Sequence, residues 1–183
     1  MSTAPSPAHR LRRWLLRGLA LVVLAVVALA VWNSRWAAAP KMLWTLSRLP
    51  PASTLPVPVD GVQPRQIADT FGAPRGRDRE HAGVDIFARR GTPVRSATSG
   101  VVSSVLEGGL GGRQVWVVGP ARERYYYAHL DGWAAQLAQG QVVQAGDLLG
   151  YVGDSGNAKG TPPHLHFGIY GPVSARDPLP LLR

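Results

Sequence analysis

Four of the five histidines in this 183-residue chain, His81, His129, His164 and His166, lie beyond residue 80 in its glycine-rich part, and there is no cysteine anywhere. Any metal site must therefore be built from imidazole and carboxylate, the ligands that suit a hard or borderline divalent ion such as zinc. His81-Ala82-Gly83-Val84-Asp85 puts one of each four positions apart. A fully extended strand would separate them by roughly 13 Å, too far for two atoms each about 2 Å from one ion. The chain is expected to bend at Gly83, so that His81 ends a loop and Asp85 starts a strand. In His164-Leu165-His166 the two imidazoles lie on one face of a strand, roughly 6.6 Å apart, and can share a site. Spacing leaves open whether both ligate or one ligates while the other handles protons. Tyr125-Tyr126-Tyr127-Ala128-His129-Leu130 reads as a strand whose alternation puts Tyr125, Tyr127 and His129 on one face. A lone strand histidine is usually structural; His129 gains weight only beside the other two clusters, and the tyrosines read as sheet packing. Asp78 and Glu80 read as solvated loop charges, and Arg75 and Arg77 as surface groups within reach of a substrate carboxylate.

These residues need a scaffold, and from about Ile67 the texture is all β: short alternating or β-branched runs between closely spaced glycines. Strands are predicted at 84–87, 93–96, 100–106, 114–118, 124–129, 141–143, 148–152 and 164–169, with short helical turns at 67–70 and 132–139. No strand alternates with a long helix, which excludes a doubly wound parallel sheet. The expected fold is mainly β, an antiparallel sheet with a groove. Gly108-Gly109-Leu110-Gly111-Gly112 reads as a mobile loop. The stretch from Gly91 to Val102 resembles that from Gly140 to Gly150, suggesting two lipoyl-like hairpins. An export-pump adaptor would combine such hairpins with a membrane helix, but the heptads of its coiled coil are missing, and no lysine sits at a hairpin tip as a carrier would require.

The predicted organisation is a basic tail (1–13), a transmembrane signal-anchor (14–36), a Pro-rich linker (37–64) and the β domain (65–183). Gly18–Trp32 carries no charge, but its roughly 22 Å falls short of the roughly 30 Å hydrocarbon core. Adding Trp14-Leu15-Leu16 and letting Arg17 snorkel nearly closes the gap, with Trp14, Trp32 and Trp36 as interfacial anchors. Ala37-Ala38-Ala39 offers a cleavage site for a signal peptide, which the following Pro40 disfavours, so an uncleaved single-pass anchor is expected. Six prolines between residues 40 and 64 suggest a semi-rigid stalk, with one or two amphipathic turns at 42–49 packing on the domain or on the membrane surface.

The formal net charge of +9 does not make this a nucleic-acid-binding chain. Four arginines (Arg10, Arg12, Arg13, Arg17) precede the apolar run, and the 16 basic residues beyond it face 11 acidic ones. Those 16 are scattered, without the basic and aromatic platform of a single-strand binder. Excess positive charge suits another polyanion, the bacterial wall and its anionic lipid surface.

Phe71-Gly72, His81-x-Gly-Val-Asp85, Gly91-Thr-Pro-Val94, Gly100-Val-Val102, Tyr127-Ala-His129-Leu130, Gly146-Asp147 and Pro163-His164-Leu165-His166-Phe167 occur in an order that resembles the lysostaphin/LytM-type zinc metalloendopeptidases. The resemblance spans about residues 67–170. It implies one zinc ion on His81, Asp85 and His166, with His164 and His129 left for catalysis on peptide bonds of peptidoglycan stems or cross-bridges. The implied chemistry is a zinc-activated water, with His164 accepting or steering its proton and His129 stabilising the oxyanion; which histidine is the base stays open. The implied location is outside the cytoplasmic membrane, the peptide being the partner and the N-terminal helix the membrane contact. Thr161-Pro162-Pro163 departs from the family's usual Gly-Pro and stiffens the approach to the His-x-His pair. A non-catalytic wall-binding or amidase-activating member is the alternative, which the presence of all five site residues disfavours.

Overall fold

The structure, a computed structural model, describes residues 7–75 and 79–183, so Arg77 and Asp78 and the first six residues of the basic tail lie outside the described residues. The chain divides into two compact units, Met1–Pro40 and Lys41–Arg183. In the first, α1 (Pro7–Trp32) takes in much of the expected basic tail. Its residues 11–32 are long and apolar enough to cross a membrane. Their leucines, valines and tryptophans stand exposed, and the Arg17 guanidinium lies over the Trp14 ring, 5.5 Å from its centre. A second helix, α2 (Ala38–Leu46), buries Leu46.

The second unit is a nine-stranded sheet with every paired strand antiparallel. Its strands are β1 (Val84–Phe87), β2 (Pro93–Arg95), β3 (Gly100–Gly108), β4 (Gly112–Val118), β5 (Arg124–Trp133), β6 (Val142–Val143), β7 (Leu148–Val152), β8 (His164–Tyr170) and β9 (Ala175–Arg176). The main path runs β1-β8-β5-β4-β3-β6, with β7 joining β2 to β5 and β9 beside β8. Eight of these strands fall where alternation and glycine spacing put them; β9, two residues after a turn, has too short a pattern to read. Neither helical turn forms at its predicted place. β5 runs on through Trp133 into 132–139, and a 3₁₀ turn forms at Pro64–Gln66 instead of 67–70.

The two similar segments do not make two separate hairpins. They interlock: β2 of the first pairs with β7 of the second, and β3 with β6. Such cross-pairing buries both segments' apolar residues, Val94, Val102, Val143 and Leu149, in one core with Tyr125, Tyr127 and Phe167. The stalk reading also needs correction. Leu55 and Val59 are buried in that core, Leu55 donates to Leu181 O (2.8 Å), and Arg95 donates to Pro58 O (2.8 Å) and pairs with Asp60. Proline prevents residues 50–64 from forming a helix, but an extended chain still docks along a sheet when its apolar side chains match the surface. Arg176 adds a tie by bonding both Glu123 and the Ala52 carbonyl.

Candidate active site

β1 and β8 lie side by side with Asp85 opposite His166 and Phe87 opposite His164. This register brings together two motifs about 80 positions apart. His81 comes from the loop before β1. Thr70 organises the junction, its carbonyl facing His81 Nδ1 at 2.7 Å and its hydroxyl accepting from the Asp85 amide at 3.2 Å. The chain bends at Gly83 as expected, and the residue serves a second purpose there. A Cβ there would stand 2.4 Å from the Phe167 carbonyl oxygen and 2.9 Å from His166 Cε1, so its lack of a side chain permits close approach of β8.

His129 also departs from simple alternation. Tyr125 and Tyr127 point into the core, whereas His129 shares the cleft with Tyr126 and Ala128. The pairing of β4 with β5 shifts register between Arg113 and Val115, and His129 itself has φ of +63°. A bulge of this kind re-aims one side chain across the sheet, at a cost in backbone strain typical of functional positions. The glycine-rich β3–β4 hairpin, expected to be mobile, is tied to this bulge. His129 N donates to Gly111 O, Asn157 N to Leu110 O and Arg113 N to Ser155 Oγ, all between 2.9 and 3.0 Å.

All five candidate residues line one cleft of about 570 Å³. His81 Nε2 stands 2.8 Å from His166 Nδ1 and 3.1 Å from Asp85 Oδ1, and the last two are 3.2 Å apart. Among the described residues, these three are the one His/Asp/Glu group whose donor atoms converge. A carbonyl only accepts, so the contact with Thr70 assigns the His81 proton to Nδ1 and leaves a lone pair on Nε2. That lone pair, His166 Nδ1 and the Asp85 carboxylate then face one another with at most one proton among them, an arrangement that a cation satisfies. Burial alone would raise the Asp85 carboxyl; its contacts with His166, His81 and Arg75 outweigh it and hold the group ionised well below the usual carboxylate range. Burial lowers the His166 pKa, which keeps its ring available as a neutral donor.

The other two imidazoles are held alike. His129 Nδ1 donates to Ser155 O and His164 Nδ1 to Pro162 O, each at 2.9 Å, so each presents Nε2 as a lone pair. Their rings are 5.0 Å apart, and His164 Nε2 lies 3.9 Å from Asp85 Oδ1. Burial pushes His129 down to about 4, favouring the neutral ring. The extra proline of Thr161-Pro162-Pro163 replaces no chemical group, since Pro162 supplies the carbonyl that orients His164.

Several cleft residues escaped the sequence reading. Trp116 stacks on Tyr126 at 4.2 Å, and Tyr170 tilts against Trp116 at 5.4 Å, forming an aromatic wall. Gly168 makes room for it, because a Cβ there would meet the Tyr170 ring at 2.9 Å. The signal was available, in that these aromatics occupy outward positions of their strands. Arg75 is no free surface group; its guanidinium binds Asp85. Glu80 is exposed at the cleft rim and is not among the converging donors.

The profile of Peptidase family M23 matches residues 79–178, more than half of the chain. The L-Ala–D-Glu endopeptidase of Bacillus subtilis is 39% identical over an alignment of 125 residues that covers 62% of this chain and 38% of that protein. Lysostaphin of Staphylococcus simulans is 34% identical over 112 residues, 56% of this chain and 21% of its own length. The chain thus spans well under half of these curated relatives. The crystal structure of the catalytic domain of that lysostaphin superposes with a TM-score of 0.56 at 31% identity, covering 62% of this chain and 89% of the domain.

Proposed function

The chain belongs to Peptidase family M23, and from that membership we propose that it is a zinc-dependent endopeptidase cleaving peptide bonds in peptidoglycan stems or cross-links. The carrying observation is the convergence of His81 Nε2, Asp85 Oδ1 and His166 Nδ1 beside two further imidazoles in an open cleft. Tetrahedral zinc, with bonds of about 2.0–2.1 Å, sets its ligand atoms roughly 3.3 Å apart. The observed separations of 2.8, 3.1 and 3.2 Å fit that triangle with adjustments of a few tenths of an ångström. Two neutral imidazoles and one carboxylate are the donor set that suits the ion, and His81, Asp85 and His166 would hold it. Bound zinc would supply an electrophile that acidifies water and polarises the scissile carbonyl.

The remaining chemistry falls to the chain's own groups. His164, fixed through Nδ1 to Pro162 O, takes a proton from the attacking water at Nε2 and delivers it to the departing amine nitrogen. His129 cannot donate to an oxyanion from Nε2 while its one ring proton is bound to Ser155 O. Its lone pair instead accepts the second hydrogen of the water, orienting it. The wall of Trp116, Tyr126 and Tyr170 seats aliphatic parts of the peptide and thins the water on that side. The apolar α1 acts as an uncleaved anchor and keeps the peptidase domain on the outer side of the cytoplasmic membrane.

Elemental analysis of the purified full chain, combined with identification of new termini in digested wall fragments, tests this reading. One zinc per chain is expected; His166→Ala loses metal and cleavage together, whereas His164→Ala keeps the metal and loses cleavage by about 10²–10⁴-fold. A metal-free active protein, or full cleavage by His166→Ala, overturns it. A non-catalytic wall-binding role would appear as stable association with wall material and no new termini.

A further inference from the structure

The two oxygens of the Asp85 carboxylate are used differently. Oδ1 faces the ring nitrogens of His81, His166 and His164 at 3.1, 3.2 and 3.9 Å. Oδ2 accepts a hydrogen bond from Arg75 Nη2. An unrestrained carboxylate turns about its last single bond and offers either oxygen, or both, to a cation. With Oδ2 held by a guanidinium, only Oδ1 is presented to the histidines.

Arg75 reaches this point because it travels on the same hairpin as His81. Gly72 N donates to His81 O (2.8 Å), His81 N to Ala73 O (2.9 Å) and Arg75 N to Arg79 O (2.8 Å), while Pro74 bridges to Glu80. One local ladder thus sets the position of a converging imidazole and of the group that orients the converging carboxylate. The Arg75 side chain is 44% exposed and that of Asp85 only 7%, so the guanidinium reaches in from the cleft rim to a buried partner.

Taking His81, Asp85 and His166 as the metal ligands, as proposed above, we infer that Arg75 is a positioning residue that holds Asp85 as a single-oxygen ligand and thereby sets the affinity of the site. A rim arginine that merely met a substrate carboxylate would leave the metal alone, and a merely structural one would act through stability. Zinc affinity therefore separates the roles. The test measures zinc binding of the full chain by competition with a chromophoric chelator, together with melting of the metal-free forms, for wild type, Arg75→Ala, Arg75→Lys and the exposed Arg65→Ala.

Outer partners of metal ligands typically contribute 10–100-fold to affinity. Arg75→Ala is expected to bind zinc at least about ten-fold more weakly, Arg75→Lys to recover part of the loss through its single cationic donor, and Arg65→Ala to match wild type within about two-fold. Equal zinc affinity in Arg75→Ala and wild type, with KM raised, assigns the residue to substrate and overturns the inference. Equal weakening by the alanine and lysine variants with a parallel drop in melting temperature assigns it to folding and also overturns it. A wild type that binds no zinc removes the metal site itself and this inference with it, a failure distinct from the other two.

Discussion

Replacing Gly83 by alanine isolates the contact that sets β1 against β8. The added Cβ would lie 2.4 Å from the Phe167 carbonyl oxygen, 2.9 Å from His166 Cε1 and 3.0 Å from His166 Nε2. Ordinary carbon contacts begin near 3.5 Å, so the shortfall against a backbone atom is about 1 Å. No rotamer change relieves it, since the obstructing oxygen belongs to the peptide between two strand residues. The strands must part by about that amount at the register where Asp85 faces His166. Overpacking of this size costs about 1–3 kcal/mol, or roughly 3–12 °C in Tm for a domain of this length. The chemical consequence is larger, because a displacement of about 1 Å at reacting groups costs on the order of 10²-fold in rate. Gly83→Ala should remain folded at 25 °C, melt earlier, bind zinc more weakly and cleave wall peptides about 100-fold more slowly. Calorimetry, chelator competition and a termini assay on one preparation give the three readings. Unchanged Tm and cleavage would refute the close-approach argument; a lowered Tm with unchanged cleavage at a temperature where the chain is folded would show that the β1–β8 spacing does not control the site.

Two further predictions concern the scaffold. Glu123 is 4% exposed and accepts from both Arg176 and the Tyr125 hydroxyl, so Glu123→Ala leaves a partly covered guanidinium and a buried phenol without their partner. A loss of about 2 kcal/mol is expected in denaturant unfolding, with KM and kcat unchanged because none of these groups lines the cleft. A fragment of residues 65–183 omits Leu55 and Val59, both buried in the core, and should be about 3–6 kcal/mol less stable than residues 41–183. Equal unfolding midpoints for the two fragments would restore the segment to the status of a linker.

Much of this protein was legible in local pattern. The spacing of His81 and Asp85, and of His164 and His166, marked out candidate donors in a thiol-free chain with few other ligands, while the choice of His166 over His164 came from the family resemblance and not from spacing. Eight strands could be read from alternation and glycine punctuation, and α1 from an uninterrupted apolar run. What local pattern cannot carry is which strand lies beside which, and with what slip. A register shift opposite Arg113 turned His129 from the predicted tyrosine face into the cleft. Cross-pairing of β2 with β7 and of β3 with β6 replaced two hairpins by one interlocked core. Arg75, read as a surface charge, met Asp85 because backbone hydrogen bonds tying residues 72–75 to 79–81 brought it there. Gly83 bends as its type suggested, but that it also leaves a gap for a neighbouring carbonyl could not be read from the sequence. Residue type and period are properties of a few adjacent positions, so composition and motif determined the chemistry available. Close approach, bulges and paired charges depend on segments about 10 to 125 positions apart, and only the folded sheet decided them.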